Sequence, residues 1–221
     1  FAPQKKNFFL YEKDVWKLKW RFKFLLIVLF LLIIYFSYPA IFRVTGSFLI
    51  ADNDNFETAD LLFFEEEFSS KEGIKLCNDI YTQGKCKDII FVKIINQFNV
   101  YSDEQEELFL KGTIDSVYKD FPISFLNLET EHPFTLNKSK KVLELIRSKN
   151  AKSVIVLTNA FHSRRTRNVY RKIFEHENIK LYTLTYFDRF TDNNWWQTSD
   201  GFRMVIPEFL KYGYYLAKGY M

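Results

Sequence analysis

The chain has 221 residues, of which 48% are hydrophobic and 25 are Phe, with a net charge of +4, enough for one domain with a full core plus an appendage. The charge is uneven: seven Lys/Arg against Glu12 and Asp14 ahead of Phe24 give +5, and the remaining 24 basic and 25 acidic residues give −1. A near-neutral main domain argues against nucleic acid as partner, which needs a basic face on the folded domain.

Residues 1–23 mix Phe8, Phe9, Tyr11, Trp16 and Trp20 with lysines, a composition suited to a cytoplasmic flank with rings at headgroup depth and lysines toward anionic lipid. A first residue of Phe fits a numbering that starts inside a longer or processed chain. Phe24 to Phe36 is an unbroken apolar or aromatic run, extended to Phe42 past Ser37, Tyr38 and Pro39. As helix, residues 24–42 span about 28 Å, close to the hydrocarbon thickness of a bilayer. A cleaved signal would have a shorter apolar core and a small-residue cleavage site, and Ser37 to Ala40 is a poor one. Residues 24–42 are therefore expected to be an uncleaved transmembrane helix. The basic residues precede the run and only Arg43 follows it closely. The positive-inside rule then predicts a single pass, with the N-terminus cytoplasmic and everything after Phe42 outside.

Residues 43–58 read as a connector, polar from Asp52 to Asn55. From residue 59 to 221 strands and helices alternate. Ala59 to Phe64 is a strand. Ser69 and Glu72 form a capping box, opening a helix with Ile74, Cys77, Ile80 and Tyr81 on one face. Asp88 to Val92 is a second strand, and Ser102 opens a second helix carrying Leu108, Phe109, Val117 and Tyr118. Ile123 to Leu128 is a third strand, and Thr135 to Asn150, with Thr135 as N-cap, a third helix. Ser153 to Leu157 is a fourth strand, followed from about Ser163 by a helix with Thr166, Tyr170, Ile173 and Phe174 at helical spacing. Lys180 to Tyr186 is a fifth strand and Phe202 to Lys218 a closing helix. This alternation predicts an α/β fold: a parallel sheet of about five strands covered on both faces, preceded by one N-terminal transmembrane helix.

In such a sheet ligands lie beyond the carboxyl ends of the strands, which directs attention to the polar residues after each strand: Glu65, Glu66 and Glu67, then Asn96, then Glu129, then Asn159 to Arg165. The last group is the densest. A strand feeding a helix presents backbone N–H groups and the positive end of the helix dipole, and Arg164 and Arg165 in a first helical turn would oppose that dipole unless an anion lay between. His162 is a candidate general acid/base. Glu129 either orients it, accepts a sugar hydroxyl or simply pairs with an arginine. Asn159, Ser163, Arg164, Arg165 and Glu66 are the candidate ligand contacts, with one arginine facing the ligand and the other free to pair with Glu129 or Glu66. The rival reading is a structural ion cluster without ligand. Arg167 and Arg171 are expected on the solvated helix surface, and His132 and His176 receive no role.

Cys77 and Cys86 fall in the exterior part, where an oxidising compartment permits a disulfide; the helix face of Cys77 equally allows a buried thiol. Two thiols without a histidine cluster are too few for a zinc site, so no metal is expected. No glycine-rich dinucleotide motif, Walker loop, zinc-protease motif or nucleophile elbow is present, and none of the seven glycines ends a candidate strand, so no cofactor is expected. Trp195 and Trp196 suit sugar stacking, tail packing or lipid contact, and Glu208 with Lys211 reads as a surface pair three residues apart.

The apolar anchor, Ala59 to Phe64, Glu129 ahead of Thr135, and above all Phe161 to Arg165 together resemble the ElyC/SanA/YdcF family over residues 59 to 216. The tail, with Trp195-Trp196, Gly201, Glu208 and Lys211, is similar to one subgroup. The chain departs from the family at Glu65 to Phe68, where many members carry glycine. The resemblance implies a Rossmann-like three-layer domain on the inner membrane, facing the periplasm, in envelope polysaccharide or peptidoglycan biogenesis. It also brings Glu208 and Lys211 closer to the site region. Two functions follow as expectations. One is an accessory protein holding a phosphorylated glycan, a lipid carrier or a membrane protein of an envelope machine. The other is a hydrolase or transferase acting on such a ligand.

Overall fold

A computed structural model describes residues 10–11, 17–67, 70–95, 112, 123–129 and 131–221. The chain divides into two compact units, Phe1–Val44 and Thr45–Met221. In the first, Leu10–Tyr11 pairs antiparallel with Lys17–Leu18, and α1 (Trp20–Leu49) begins. Its 30 residues give about 45 Å of helix. It is long and apolar enough to cross a membrane, and within the first unit its Phe, Leu and Ile side chains are exposed rather than packed. The helix starts four residues before Phe24 and runs on to Leu49, so residues 43–49, expected in the connector, are helical. Gly46 and Leu49 are buried in the second unit.

The second unit is an α/β domain. Its strands are β1 (Ala59–Glu67), β2 (Cys86–Ile95), β3 (Ile123–Glu129), β4 (Ser153–Asn159) and β5 (Lys180–Tyr186), and its helices α2 (Lys71–Thr82), α3 (Phe134–Ser148), α4 (Ala160–Phe174) and α5 (Ser199–Ala217). All four strand pairings are parallel, in the order β3-β2-β1-β4-β5. The expected second helix, from Ser102, and Asn96 lie outside the described residues.

The central strands are apolar on both faces because both are covered. Leu62, Phe64, Ile89, Phe91, Ile155 and Leu157 point to one side, where Cys77 and Ile80 of α2 pack on them. Leu61, Phe63, Ile90, Val92, Val154 and Val156 point to the other, against Val142 and Ile146 of α3 and Tyr170 and Phe174 of α4. Each of these large side chains contributes roughly 1.5–3 kcal/mol by leaving water. Cys77 and Cys86 are free thiols in the first of these layers. The disulfide that the compartment would permit is not formed. Burial raises the Cys77 thiol well above its ordinary range, and burial with the Asp88 charge takes Cys86 up to about 12.

Local signals explain most of the element ends, and several differ from expectation, α5 among them, which begins at Ser199 behind the Thr198 cap rather than at Phe202. The cap of α2 is Ser70, whose hydroxyl accepts from Gly73 N at 3.2 Å, one residue past the expected Ser69. α3 starts at Phe134, so Thr135 lies inside its first turn and is not the N-cap. α4 starts at Ala160, three residues early, because Asn159 caps it by accepting from Phe161 N at 3.1 Å. The strand β4 therefore passes into helix with no turn between them.

Trp195 is fully buried. Two glycines make room for it. A Cβ on Gly46 would meet its indole nitrogen at 2.5 Å, and one on Gly201 its carbonyl oxygen at 1.9 Å. Of the three readings for this tryptophan pair, Trp195 takes the packing one.

Candidate functional site: a buried ion cluster under a groove

The order of the strands makes β1 and β4 neighbours, with the chain continuing outward on opposite sides of them. This is the switch point at which open α/β sheets leave a crevice. Glu65 ends the apolar part of β1, and Thr158 and Asn159 end β4. Glu65 is buried. Its Oε2 accepts from Thr158 Oγ1 at 2.6 Å and from Thr166 Oγ1 at 3.0 Å, and its Oε1 lies 2.9 Å from Lys138 Nζ. Lys138 also donates to the Glu65 backbone oxygen at 2.7 Å. Burial pushes the Glu65 carboxyl up, but Lys138, the Thr158 hydrogen bond and Arg165 together hold it below its ordinary value, so it stays ionised. Tyr170, fully buried near that charge, is pushed well up and stays neutral.

A second carboxylate enters from α5. Glu208 is 1% exposed and gathers three side chains. Arg165 donates to its Oε2 from Nε at 3.1 Å and from Nη2 at 2.7 Å. His162 Nδ1 lies 3.1 Å from the same oxygen, and Lys211 Nζ 2.7 Å from Oε1. Burial raises Glu208, while His162, Arg165 and Lys211 outweigh it and leave the group depressed. Burial likewise lowers Arg165, and Glu208 with Glu65 more than restores it. Arg165 also donates through Nη1 to Thr135 Oγ1 and lies 5.3 Å from the Tyr215 ring centre. The Tyr215 hydroxyl accepts from Thr135 N at 3.1 Å, which takes up a first-turn donor of α3 that has no side-chain cap.

The sum of charges decides what this cluster can do. Two carboxylates, Glu65 and Glu208, face three permanent cations, Lys138, Arg165 and Lys211. Among the described residues, one positive charge is left over even with His162 neutral. The surplus is presented outward, since Lys211 is 55% exposed at its side chain. It lines a groove of about 550 Å³ together with Arg165, Thr135, His132, Tyr214 and Tyr215. A second hollow of about 320 Å³, on the other side of Phe134, is lined by Asn127, Glu129, Asn137, Lys138 and Lys141.

The residues singled out from sequence thus separate. Arg165 and His162 enter the cluster. Asn159 is the helix cap. Ser163 Oγ accepts from Ala51 N at 2.8 Å and donates to the Ala160 carbonyl at 2.5 Å, pinning the connector to α4. Arg164 donates to the Ile50 carbonyl at 3.0 Å and lies over the Phe48 ring at 4.9 Å. Glu129 is exposed on the second hollow, and the Glu66 side chain is outside the described residues. Among the described side chains, the carboxylate that holds Arg165 is Glu208 and not the expected Glu129. Arg165 stands in the second turn of α4, past the dipole's strong end. Glu208 and Lys211 are not a surface pair, because the glutamate is buried. Arg167 is half-buried, bonded to Asp54 and to the Asp52 carbonyl, with Arg171 3.5 Å from Asp54. His132 lines the groove and His176 is exposed.

Sequence reasoning missed Lys138. The signal was present, since Lys138 lies in register with Thr135, Val142 and Ile146, the buried stripe of α3. A lysine on a core-facing stripe requires a buried carboxylate partner. Among the described residues, no group of three His, Cys, Asp or Glu side chains is placed to hold a metal ion. Comparison with protein-family models, with curated proteins and with solved structures finds no match for this chain.

Proposed function

We propose that this protein is an accessory component of cell-envelope polysaccharide or peptidoglycan assembly, anchored by α1 in the inner membrane with the α/β domain in the periplasm. In this reading the domain holds an anionic ligand, a phosphate or diphosphate on a glycan or lipid carrier, in the groove over Arg165 and Lys211. The observation that carries the reading is the surplus positive charge of a buried cluster among the described residues, opened to a groove between the start of α3, α4 and α5. Electroneutral clusters are built for packing, whereas a cluster with an exposed surplus cation attracts an anion. The orientation rests on the +5 flank ahead of Phe24, and the envelope role on the resemblance to the ElyC/SanA/YdcF family.

A second reading is favoured by one distance, the 3.1 Å from His162 Nδ1 to Glu208. A carboxylate against one imidazole nitrogen orients the ring for acid/base work, which would make the protein a hydrolase or transferase on the same ligand class.

The test is the melting temperature of the full chain in detergent, with and without inorganic phosphate, diphosphate and a nucleotide diphosphate-sugar. Ligand at a hundredfold its Kd contributes about 2.7 kcal/mol, a rise of roughly 5–10 °C for a domain of this size. Lys211→Ala should remove the rise and leave the unliganded melting temperature within about 3 °C, because Lys211 is half exposed and the buried Glu208 keeps both hydrogen bonds from Arg165. No anion-dependent rise in the wild type overturns the reading. Release of phosphate that disappears in His162→Ala would select the enzyme over the accessory role.

A further inference from the structure

The last helix is built inside out. Its buried face carries the charged Glu208 with Gly201, Val205 and Tyr215, while Phe202, Ile206, Leu210 and Tyr214 recur every four residues on the face turned to solvent, Leu210 being 72% exposed. Four-residue spacing aligns side chains along one stripe. Interspersed with the stripe are Arg203, Lys211 and Lys218. From Phe202 to Met221 the sole acidic residue is Glu208, which points inward. Asp200 in the first turn pairs with Arg203 at 3.5 Å; beyond it the outward face is aliphatic and aromatic side chains edged by cations, the pattern of helices that lie in the plane of an anionic membrane surface.

The chain's own connectivity says what covers this face. The apolar run of α1 ends at Phe42, and Leu49, roughly 10 Å of helix further on, is already buried in the second unit. α1 runs unbroken from Trp20 to Leu49, so a membrane-spanning α1 is joined in sequence directly to the domain that carries α5. Within that unit Phe48 stacks on Phe209 of α5 with ring centres 5.8 Å apart, and meets Tyr212 edge-on at 5.3 Å. The inverted helix thus packs, together with α4, beside the point where the chain enters the domain.

We infer that the stripe Phe202, Ile206, Leu210 and Tyr214 of α5 docks on the lipid surface, with Arg203, Lys211 and Lys218 on anionic headgroups. The inference rests on α1 being the membrane span. A second copy of the chain or another protein on this face is the alternative. Lys211 and Tyr214 also line the groove over Arg165, so docking brings the mouth of the groove to headgroup depth.

The experiment uses the full chain in vesicles of phosphatidylethanolamine and phosphatidylglycerol. One environment-sensitive fluorophore is placed on Ile206→Cys, on Leu210→Cys, on Glu144→Cys of α3, or on Ile33→Cys of α1. The native Cys77 and Cys86 are buried and stay unlabelled in the folded protein. Lipids with a nitroxide at the headgroup or along the acyl chain serve as quenchers. The expected result is loss of most fluorescence at positions 206 and 210 with the shallow quencher, little loss at 144, and quenching at 33 by the deep quencher. If 33 is quenched and 206 and 210 behave like 144, the docking inference fails while the anchor stands. If 33 is not quenched, both fail. Disulfide-linked dimers of Leu210→Cys without lipid quenching would assign the face to a second copy and overturn the inference. None of these outcomes depends on anion binding in the groove.

Discussion

Replacing Glu208 with alanine removes the carboxylate that holds Arg165, His162 and Lys211 together. Arg165 loses two charge-assisted hydrogen bonds, at 3.1 and 2.7 Å, and keeps Thr135 and the Tyr215 ring beside it. Breaking a buried pair from one side costs roughly 3–5 kcal/mol, because a charge is left in the interior without its partner. Two features set the value near the lower end. The attraction of Glu65 for Arg165 survives, and Lys211, half exposed, turns to water. The cavity left by the side chain acts the other way. The expected loss is about 3–4 kcal/mol, a fall in melting temperature of roughly 6–16 °C for a domain of this length. The assay is thermal unfolding of the full chain in detergent, followed by circular dichroism at neutral pH. Glu208→Gln, which keeps the shape and an acceptor oxygen, should fall between wild type and alanine. The double variant Arg165→Met with Glu208→Leu should lose less than the two single losses combined, since an apolar pair of similar volume replaces a buried ion pair at little cost. A Glu208→Ala protein melting within about 3 °C of wild type, or strict additivity in the double variant, would refute the account of the cluster.

Acid stability follows from the same carboxylates. Glu65 and Glu208 are both held below their ordinary 4.5, and Asp60, with Lys87, the Lys152 N–H and Ser153 around it, is lowered from 3.8 to about 2. A carboxyl depressed by folding stabilises the native state above its unfolded value and loses that contribution as pH falls toward its folded one. The melting temperature should thus be level above about pH 5 and drop below it, with a shallower drop in Glu208→Gln; a flat profile down to pH 3 would contradict this. Gly201→Ala should be far more damaging than an exposed helical glycine change such as Gly213→Ala. Its Cβ would sit 1.9 Å from the Trp195 carbonyl oxygen, whereas Gly213 faces open space. Overpacking against backbone costs roughly 1–3 kcal/mol or more, while Gly213→Ala should stabilise the helix by up to about 1 kcal/mol; equal melting temperatures for the two would be the contrary result.

Local pattern made much of this protein legible in one dimension. The apolar run around Phe24 to Phe42 marks a helix able to span a membrane, because nineteen uncharged residues need no tertiary partner to declare themselves. The alternation of short apolar strands with helices of 3.6-residue period gave a parallel sheet, since strands buried on both faces carry no polar alternation. Lys180 to Tyr186 matches β5 to the residue. Helix starts were less legible where an early cap competed with the apolar period. Asn159 begins α4 three residues before the first expected helical residue, which moved the arginines off the dipole's end.

Pairing was decided only in three dimensions. Glu208 lies 43 residues from Arg165, and nothing in the sequence between them says that α5 returns across α4 and turns Glu208 inward. Glu65 and Lys138 meet across 73 residues only because the order β3-β2-β1-β4-β5 sets the end of β1 beside α3 and α4. A charge's partner is fixed by proximity in a low-dielectric interior, where the cost of an unpaired ion is several kcal/mol. Chain separation carries no information about that proximity. The sequence could therefore say that cations gather at the end of β4, and the tertiary structure alone decided which carboxylates neutralise them and that, among the described residues, one positive charge is left facing the groove.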